Sequence, residues 1–420
     1  MNVDTMRKID FRLGVPLCWL GTKLLKIARR KANPAATPGK VLLIELSEMG
    51  STILADPAMR KLQRCFAAEL HFLIFSKNRP SLNLLETVPA ENIFVIREDS
   101  LGVLVKDSCK FLLWSRKRKI DTVIDLELFS RFTALLTGFS GACRRVGFHA
   151  FHNEGLYRGD FLTHKVPYNP HMHIAKNFIA LVNSLLPEDD GPSFARSIIP
   201  DNEIVLEKMQ VPDSQKAGMI AKVRQECPKF DERLHGIILF NANASELLPQ
   251  RCWPAEYYAE LAGIILKQYA CAFILFTGSM AEREGIAAIV AQVGHPRCIN
   301  FAGKTTLPEL TALYSISEFM LSNDSGPAHF AAVTSMPTYT IFGPETPVLY
   351  GPLGESTTIY AGVSCSPCVS AANHRKTSCR DNKCLQILRP GQLLATLQPG
   401  LQKLGTMPPS GPAPSDQAAS

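Results

Sequence analysis

The chain has 420 residues, 46% of them hydrophobic and 20% charged, which is enough apolar mass for two ordinary domains and excludes wholesale disorder. No apolar run approaches the roughly 18 to 20 residues of a membrane-spanning helix, and no compact apolar core followed by a small-residue cleavage signal opens the chain. The net charge of +7 sits wholly in residues 1–40, which hold nine Lys/Arg and two Asp; the remainder carries equal numbers of each sign, unlike the spread basic groove of a nucleic-acid enzyme.

In the basic arm, Pro16 suits the first turn of a helix in which Leu17, Leu20, Leu24 and Ile27/Ala28 form one stripe opposite Lys23, Lys26 and Arg30. An amphipathic basic helix over residues 1–32 can lie on an anionic membrane surface with Trp19 at headgroup level, or dock on the protein's own body. Residues 33–39 read as a linker. From Val41 short apolar runs alternate with helical patterns: strands are predicted at 41–46, 70–75, 93–96, 122–126 and 144–148, within an N-terminal domain over 40–186. A Pro/Asp/Gly-rich gap and a connecting helix occupy 187–234. The βαβ pattern then repeats over 235–390, with strands at 236–241, 272–277, 298–301, 319–322 and 338–342. Two doubly wound α/β halves follow, with ligands expected beyond the carboxyl ends of their strands, in the cleft between the halves. The Pro/Ser/Ala-rich tail, 407–420, reads as disordered.

Three loops carry ligand-suited chemistry. In Ser322-Asn-Asp-Ser-Gly-Pro-Ala-His329 a strand runs through a tight turn into a helix: Asp324 or Ser325 suits the cap, Gly326 a close backbone approach, and His329 lies one turn in. Such a turn offers N–H donors to a phosphate, or is simply a well-capped helix. Asn243, Ser245 and Arg251 leave the first strand of the second half; a guanidinium fork there matches a diphosphate, although taken alone Arg251 is a surface arginine. Gly278 to Glu282 follows the next strand with a glycine and then a carboxylate, the arrangement a ribose hydroxyl pair uses, or a helix-start acid.

Together with Glu45-Leu-Ser-Glu-Met-Gly50, Arg251-Cys-Trp-Pro254, Ala302-Gly-Lys-Thr-Thr-Leu-Pro-Glu309 and Phe342-Gly-Pro344, these motifs stand in the order found in family 9 glycosyltransferases, the lipopolysaccharide heptosyltransferases and their relatives. The chain resembles that family from about residue 41 to 388. The resemblance implies a metal-independent, inverting enzyme of the GT-B architecture, two Rossmann-like domains with parallel sheets facing across a cleft. It also implies a nucleotide diphosphate sugar donor, ADP-heptose above all, and a lipid-linked saccharide acceptor such as a lipopolysaccharide core. On the same resemblance Asn243, Ser245 and Arg251 align with donor diphosphate contacts and Glu282 with the ribose contact. Asp324, Ser325, Gly326 and His329 align with the phosphate loop and its surroundings.

One departure matters. After Met49-Gly50 of the first strand-to-helix loop, the acceptor loop, family members commonly carry an Asp thought to deprotonate the acceptor, and this chain has Ser51, which cannot. Glu48 is the favoured substitute base and Asp56 the second; a catalytically inactive sugar-nucleotide-binding relative, or a scaffold in envelope polysaccharide assembly, stays open.

Cys365-Ser-Pro-Cys368 with Cys379 and Cys384 presents one zinc-like knuckle and a wider second pair, read as structural zinc or as free thiols. No cofactor is required for catalysis on this reading. His164, His171 and His173 read as acceptor contacts or packing. Twelve Cys without an export signal point to a reducing compartment and mostly free thiols. The expectation is a cytoplasmic protein, peripheral on the inner face of the cytoplasmic membrane, with no nucleic-acid partner.

Overall fold

Val41-Leu-Leu-Ile44 is fully buried on both sides, the mark of a central parallel strand covered by helices on each face. It is the core of β1 (Lys40–Ile44), which pairs with β2 (Glu69–Phe75) and β4 (Thr122–Asp125). With β3 (Ile93–Ile96), β5 (Arg144–Phe148) and β6 (His164–Val166) these form an all-parallel sheet in the order β3-β2-β1-β4-β5-β6. The helices of this unit are α1 (Val3–Ile27), α2 (Met49–Phe66), α3 (Pro80–Asn83), α4 (Leu101–Arg118), α5 (Arg131–Phe139) and α6 (Ile174–Asn183). Local chemistry fixes their ends: Ser100 Oγ accepts from Val103 N at the start of α4, and three basic residues, Arg116 to Arg118, fill its last turn.

The computed structural model describes residues 3–27, 37–128, 130–149, 157–186, 198–244, 248–370, 373 and 375–405. The chain divides into two units, Met1–Leu206 and Glu207–Ser420. In the second, α7 (Asp213–Glu226), β7 (Gly236–Asn241), α8 (Ala255–Gln268), β8 (Ala272–Phe276), α9 (Arg283–Val293), β9 (Cys298–Asn300), α10 (Leu307–Ser315), β10 (Phe319–Asn323) and α11 (Gly326–Ala331) lead to β11 (Thr338–Phe342), α12 (Pro347–Tyr350), β12 (Ser356–Tyr360), α13 (Lys383–Gln386) and α14 (Pro390–Gly405). Its sheet, also parallel, runs β12-β11-β10-β7-β8-β9. Both sheets therefore reverse direction of growth beside their first strand, between β1 and β4 and between β7 and β10, where open α/β sheets leave a ligand crevice.

Three features differ from the sequence-based expectation. Each sheet gains a sixth strand: β6 is three residues long, and β12 is a partly exposed edge, so neither shows an apolar run. Helix α1 starts at Val3 and carries Pro16 inside it, where a helix start was expected. The apolar stripe Leu393, Leu397, Leu401 and Leu404 of α14 is buried against the second sheet's core, so that unit extends past residue 390. The linker positions 33–36, the gap at 187–197 and the tail from 407 lie outside the described residues.

Helix α1 docks on the first unit by one face and leaves an apolar stripe exposed. One face docks on α5: Asp10 pairs with Arg131 at 3.2 Å, a Cβ on Gly14 would stand 2.7 Å from the Arg131 side chain, Cys18 is buried, and Thr22 Oγ1 accepts from Asp160 N. The stripe Leu13, Leu17, Leu20, Leu24 and Ile27 stays exposed, with Trp19 at 56% and Phe11 at 70%. No helix among the described residues is long and apolar enough to cross a membrane.

Candidate functional site

At the crevice of the second sheet, the polar ends of β7 and β10 are tied together by Asn323. Its fully buried side chain accepts from Trp253 N (3.0 Å) and Tyr258 Oη (3.1 Å) and donates to Asn243 O (3.3 Å). Trp253, itself buried against Tyr258 and donating to Leu388 O, anchors the segment that presents Arg251. The Arg251 side chain is only 12% exposed; Nη1 donates to Asp324 O (3.3 Å), while its nitrogens lie 3.6 Å from the Asp324 carboxylate and 3.9 Å from that of Glu345. Arg251 Nε and Asn243 Nδ2 are buried donors with no hydrogen-bond partner among the described residues. Such donors are costly unless something fills them, which marks this pocket as built for acceptors.

Across β8, Gly278 keeps the wall thin. A Cβ there would stand 3.0 Å from both Asn243 Nδ2 and Glu282 Oε2. Glu282 closes a capping box, its carboxylate accepting from Ser279 N at 2.6 Å. Asp324 is held in the sheet by Asp324 N to Ile341 O, and His329 is buried in α11. Ser325 takes the N-cap position, yet its hydroxyl turns back to Asn323 O (3.2 Å) and makes no cap bond, contrary to the expectation that Asp324 or Ser325 caps the helix. With only six residues, α11 also adds a weak dipole; the turn's N–H groups and Arg251 supply the positive character. Thus Asn243, Arg251, Glu282, Asp324, Ser325 and Gly326 gather about one crevice, His329 is buried one turn into α11, and Ser245 lies outside the described residues. Asn323, within the 322–329 motif, was given no role of its own from sequence, and Glu345 was not singled out; one ends β10 and the other follows β11, the one signal that pointed to them.

The corresponding crevice of the first sheet has the opposite chemistry. Glu45, at the end of β1, is buried and accepts from Ser47 N (3.2 Å) and Glu48 N (3.4 Å). Glu127, just past β4, accepts on one oxygen from Leu46 N (2.9 Å), Ser47 N (2.8 Å) and Ser47 Oγ (2.5 Å). Burial, then the charges of Glu127 and Glu48, pushes the Glu45 carboxyl well above its ordinary range. Fully buried Asp125 is pushed up to about 6 by desolvation, opposed by Arg158 at 2.5 Å and raised further by Glu127. Glu48 is half-buried at the N-cap of α2 with no side-chain cap bond; Met49 and Ser51 are half-buried and Gly50 buried in the first turn. Asp56 does not fit the role of base: it is 1% exposed, paired with Arg60 at 2.7 Å and bonded by Thr87 Oγ1, because it lies on the inward face of α2.

The four thiols expected to hold zinc line one cavity of about 210 Å³ with Gln250, Pro344 and Asp381. Cys379 turns to the Asp381 carboxylate, Cys384 to the Asn382 side chain and Cys368 to Thr377, and no group of three or more His, Cys, Asp or Glu among the described residues is arranged to hold a metal ion. All twelve cysteines are free, and burial with its three neighbours pushes Cys384 up to about 11. Of the histidines, His173 caps α6 through Nδ1 and His164 pairs with Thr163 Oγ1 at 2.9 Å, both local roles; His171 donates its backbone N–H to Asn169.

Comparison with known proteins bears on the family and the fold. The model of glycosyltransferase family 9 (heptosyltransferase) matches residues 115–378. Lipooligosaccharide heptosyltransferase 2 of Haemophilus influenzae is 30% identical over 40% of this chain and 49% of its own, so the match spans about half of that relative. Lipopolysaccharide heptosyltransferase 2 of Escherichia coli is 25% identical over 76% of this chain and 87% of its own. The structure of E. coli ADP-heptose LPS heptosyltransferase II superposes with a TM-score of 0.64 at 22% identity, covering 87% of this chain and 100% of that one. The likeness extends over both α/β units, which make the GT-B class of fold. As the family model covers well over half of its length, the chain belongs to glycosyltransferase family 9.

Proposed function

We propose that the chain is an inverting, metal-independent glycosyltransferase that moves a sugar, heptose from ADP-heptose, onto a lipopolysaccharide core or related lipid-linked saccharide. The observation that carries this reading is the pair of buried donors, Arg251 Nε and Asn243 Nδ2, that make no hydrogen bond among the described residues at the crevice of the second sheet, Nε facing the Asp324 carboxylate only at 3.6 Å. The acceptor hydroxyl oxygen bonds to the anomeric carbon as that carbon's bond to the diphosphate oxygen breaks, the electron pair leaving on the diphosphate. Arg251, Asn243 and the N–H groups about Ser325 and Gly326 receive that charge, with Glu282 on the ribose and Asp324 and His329 lining the pocket; preset donors stabilise the developing anion without reorganisation. The acceptor's proton goes to a carboxylate of the 45–51 loop, Glu48 being the one at the rim.

The relatives named above are lipopolysaccharide or lipooligosaccharide heptosyltransferases, which supports the choice of donor and acceptor. The exposed stripe of α1, with Trp19 and the cations Arg12, Lys23 and Lys26, supports attachment to the anionic cytoplasmic face of the membrane, where a lipid-linked acceptor resides. A thermal-shift panel of ADP, UDP and GDP tests the donor. Ligand at 100 times its Kd stabilises the native state by about 2.7 kcal/mol, and ADP is expected to give the largest shift, abolished in Arg251→Gln. A preference for UDP or GDP removes heptose as the sugar; nucleotide binding without transfer identifies an inactive relative.

A further inference from the structure

The loop between Cys368 and Cys379 is fastened to the end of β11. Cys368 N and Val369 N both donate to Pro344 O (3.0 and 3.1 Å), and Ser366 Oγ bonds Gly343 O. Beyond that attachment Asn373 ties the loop to itself through Cys368 O and Ser370 N, each at 2.9 Å, and Arg375 N closes the turn on Ser370 O. The turn needs a left-handed residue at Arg375, φ +52°, a conformation disfavoured for an arginine and kept here by the surrounding bonds. Its effect is to lay the Arg375 guanidinium over the Tyr350 ring, 4.7 Å from the centroid, with Nε 3.7 Å from Glu345 Oε1.

That same carboxylate oxygen is the one Arg251 Nη2 approaches at 3.9 Å. Two guanidinium groups from segments more than a hundred residues apart thus converge on one oxygen of a side chain that is 2% exposed. Both separations exceed hydrogen-bonding distance, so Glu345 compensates the two charges without forming a close forked pair with either. A planar stack on Tyr350 further fixes the second guanidinium at little entropic cost. Two preset cations beside the phosphate turn are what a doubly charged diphosphate requires, and a single arginine meets only part of that charge.

We infer that Arg375 is a second cationic contact for the donor diphosphate, carried to the crevice by the 368–379 loop and poised there by Glu345 and Tyr350. The inference rests on the donor reading above and adds a residue that lies outside every motif of the sequence. The structural alternative is that Arg375 merely neutralises Glu345, and the two separate by ligand selectivity. Binding of ADP, UDP and GDP and of the three parent nucleosides is measured by calorimetry for the full-length protein, Arg375→Gln and Arg375→Lys. A lost charge-assisted contact weakens binding about 10-fold or more, so Arg375→Gln is expected to lose that much affinity for the preferred diphosphate while binding its nucleoside within 2-fold of wild type. Arg375→Lys, which keeps the charge and much of the packing, is expected to fall between and serves if the Gln variant does not fold. Equal losses for nucleotide and nucleoside, or no loss for either, overturn the inference while leaving the donor reading intact. If wild type binds none of the diphosphates, the donor reading itself fails and the inference with it.

Discussion

The two sheets have the same strand order and the same reversal beside their first strand, with Ile44 opposite Asp125 in one and Asn241 opposite Ser322 in the other. Their crevices nevertheless carry different chemistry. In the first, Glu45, Glu48 and Glu127 crowd around one loop; in the second, the guanidinium groups of Arg251 and Arg375 stand beside the Asp324 and Glu345 carboxylates, with the Asn243 amide nearby. Topology decides where a ligand can sit, and the few residues past each strand decide which ligand. A carboxylate-lined crevice suits a neutral hydroxyl that must lose a proton; a guanidinium-lined one suits a leaving group that gains negative charge.

The sharpest way to break this contrast is Glu48→Gln. General-base catalysis is worth about 10² to 10⁴ in rate, so steady-state turnover is expected to fall by that factor with ADP affinity, measured by calorimetry, unchanged within 2-fold. Turnover within a few-fold of wild type moves the base to Glu45 or Glu127 and ends the case for Glu48.

The next effect is on stability. Asp125 titrates near 6 in the fold against 3.8 for the free side chain. Its contribution to stability is therefore fully present below about pH 4 and is lost as pH rises through 6, where the native state must ionise a buried carboxyl. Relative to Asp125→Asn, wild type is expected to be less stable at pH 7.5 than at pH 4 by up to about 3 kcal/mol, read from urea unfolding at both pH values. A stability difference independent of pH means that Arg158 keeps Asp125 ionised throughout.

A smaller effect compares the terminal helices. Leu393, Leu397, Leu401 and Leu404 of α14 are buried, whereas α1 exposes Leu17, Leu20, Leu24 and Ile27 beside Lys23 and Lys26. Each cation near an anionic surface is worth about 1 kcal/mol. Lys23→Glu with Lys26→Glu is expected to weaken co-sedimentation with phosphatidylglycerol vesicles by at least 10-fold, and Trp19→Ser to weaken it on zwitterionic vesicles as well. Because Lys26 also faces Asp160 at 3.6 Å, the melting temperature of each variant is read alongside. Unchanged sedimentation assigns the stripe to some other contact.

How far the sequence foretold this contrast varies with the range of the interactions. The central strands were legible because continuous buried runs such as Val41–Ile44 and Ile237–Phe240 have no other reading between turn signals. The edges β6 and β12 were not, since an edge strand needs little apolar surface. The donor crevice was legible in outline because Asn243, Arg251 and Asp324 lie in motifs. Its completion by Glu345 and Arg375 depends on a loop folding back onto β11. The acceptor crevice was the least legible: Glu45 and Glu127 are 82 positions apart, and only the pairing of β1 with β4 brings both to the same Ser47 amide. Asp56 was misplaced for the same reason, since its position in the chain does not reveal which face of α2 it occupies.

The smallest expected effect separates a cap in name from a cap in energy. Ser100 and Ser325 both sit at helix N-caps with extended backbone, one opening α4 in the first unit and one opening α11 at the donor crevice. Ser100 Oγ accepts from Val103 N, and removing such a bond costs about 1 kcal/mol. Ser325 Oγ instead donates to Asn323 O, leaving its first-turn N–H groups to a ligand. Ser325→Ala is therefore expected to change the unfolding free energy of the nucleotide-free protein by less than about half of what Ser100→Ala costs, both measured by urea titration. Saturating ADP is expected to widen the Ser325 difference and leave the Ser100 difference where it was, because only the first belongs to the crevice. If Ser325→Ala costs as much as Ser100→Ala without nucleotide, its hydroxyl is a structural cap in solution and the turn is not held open for phosphate.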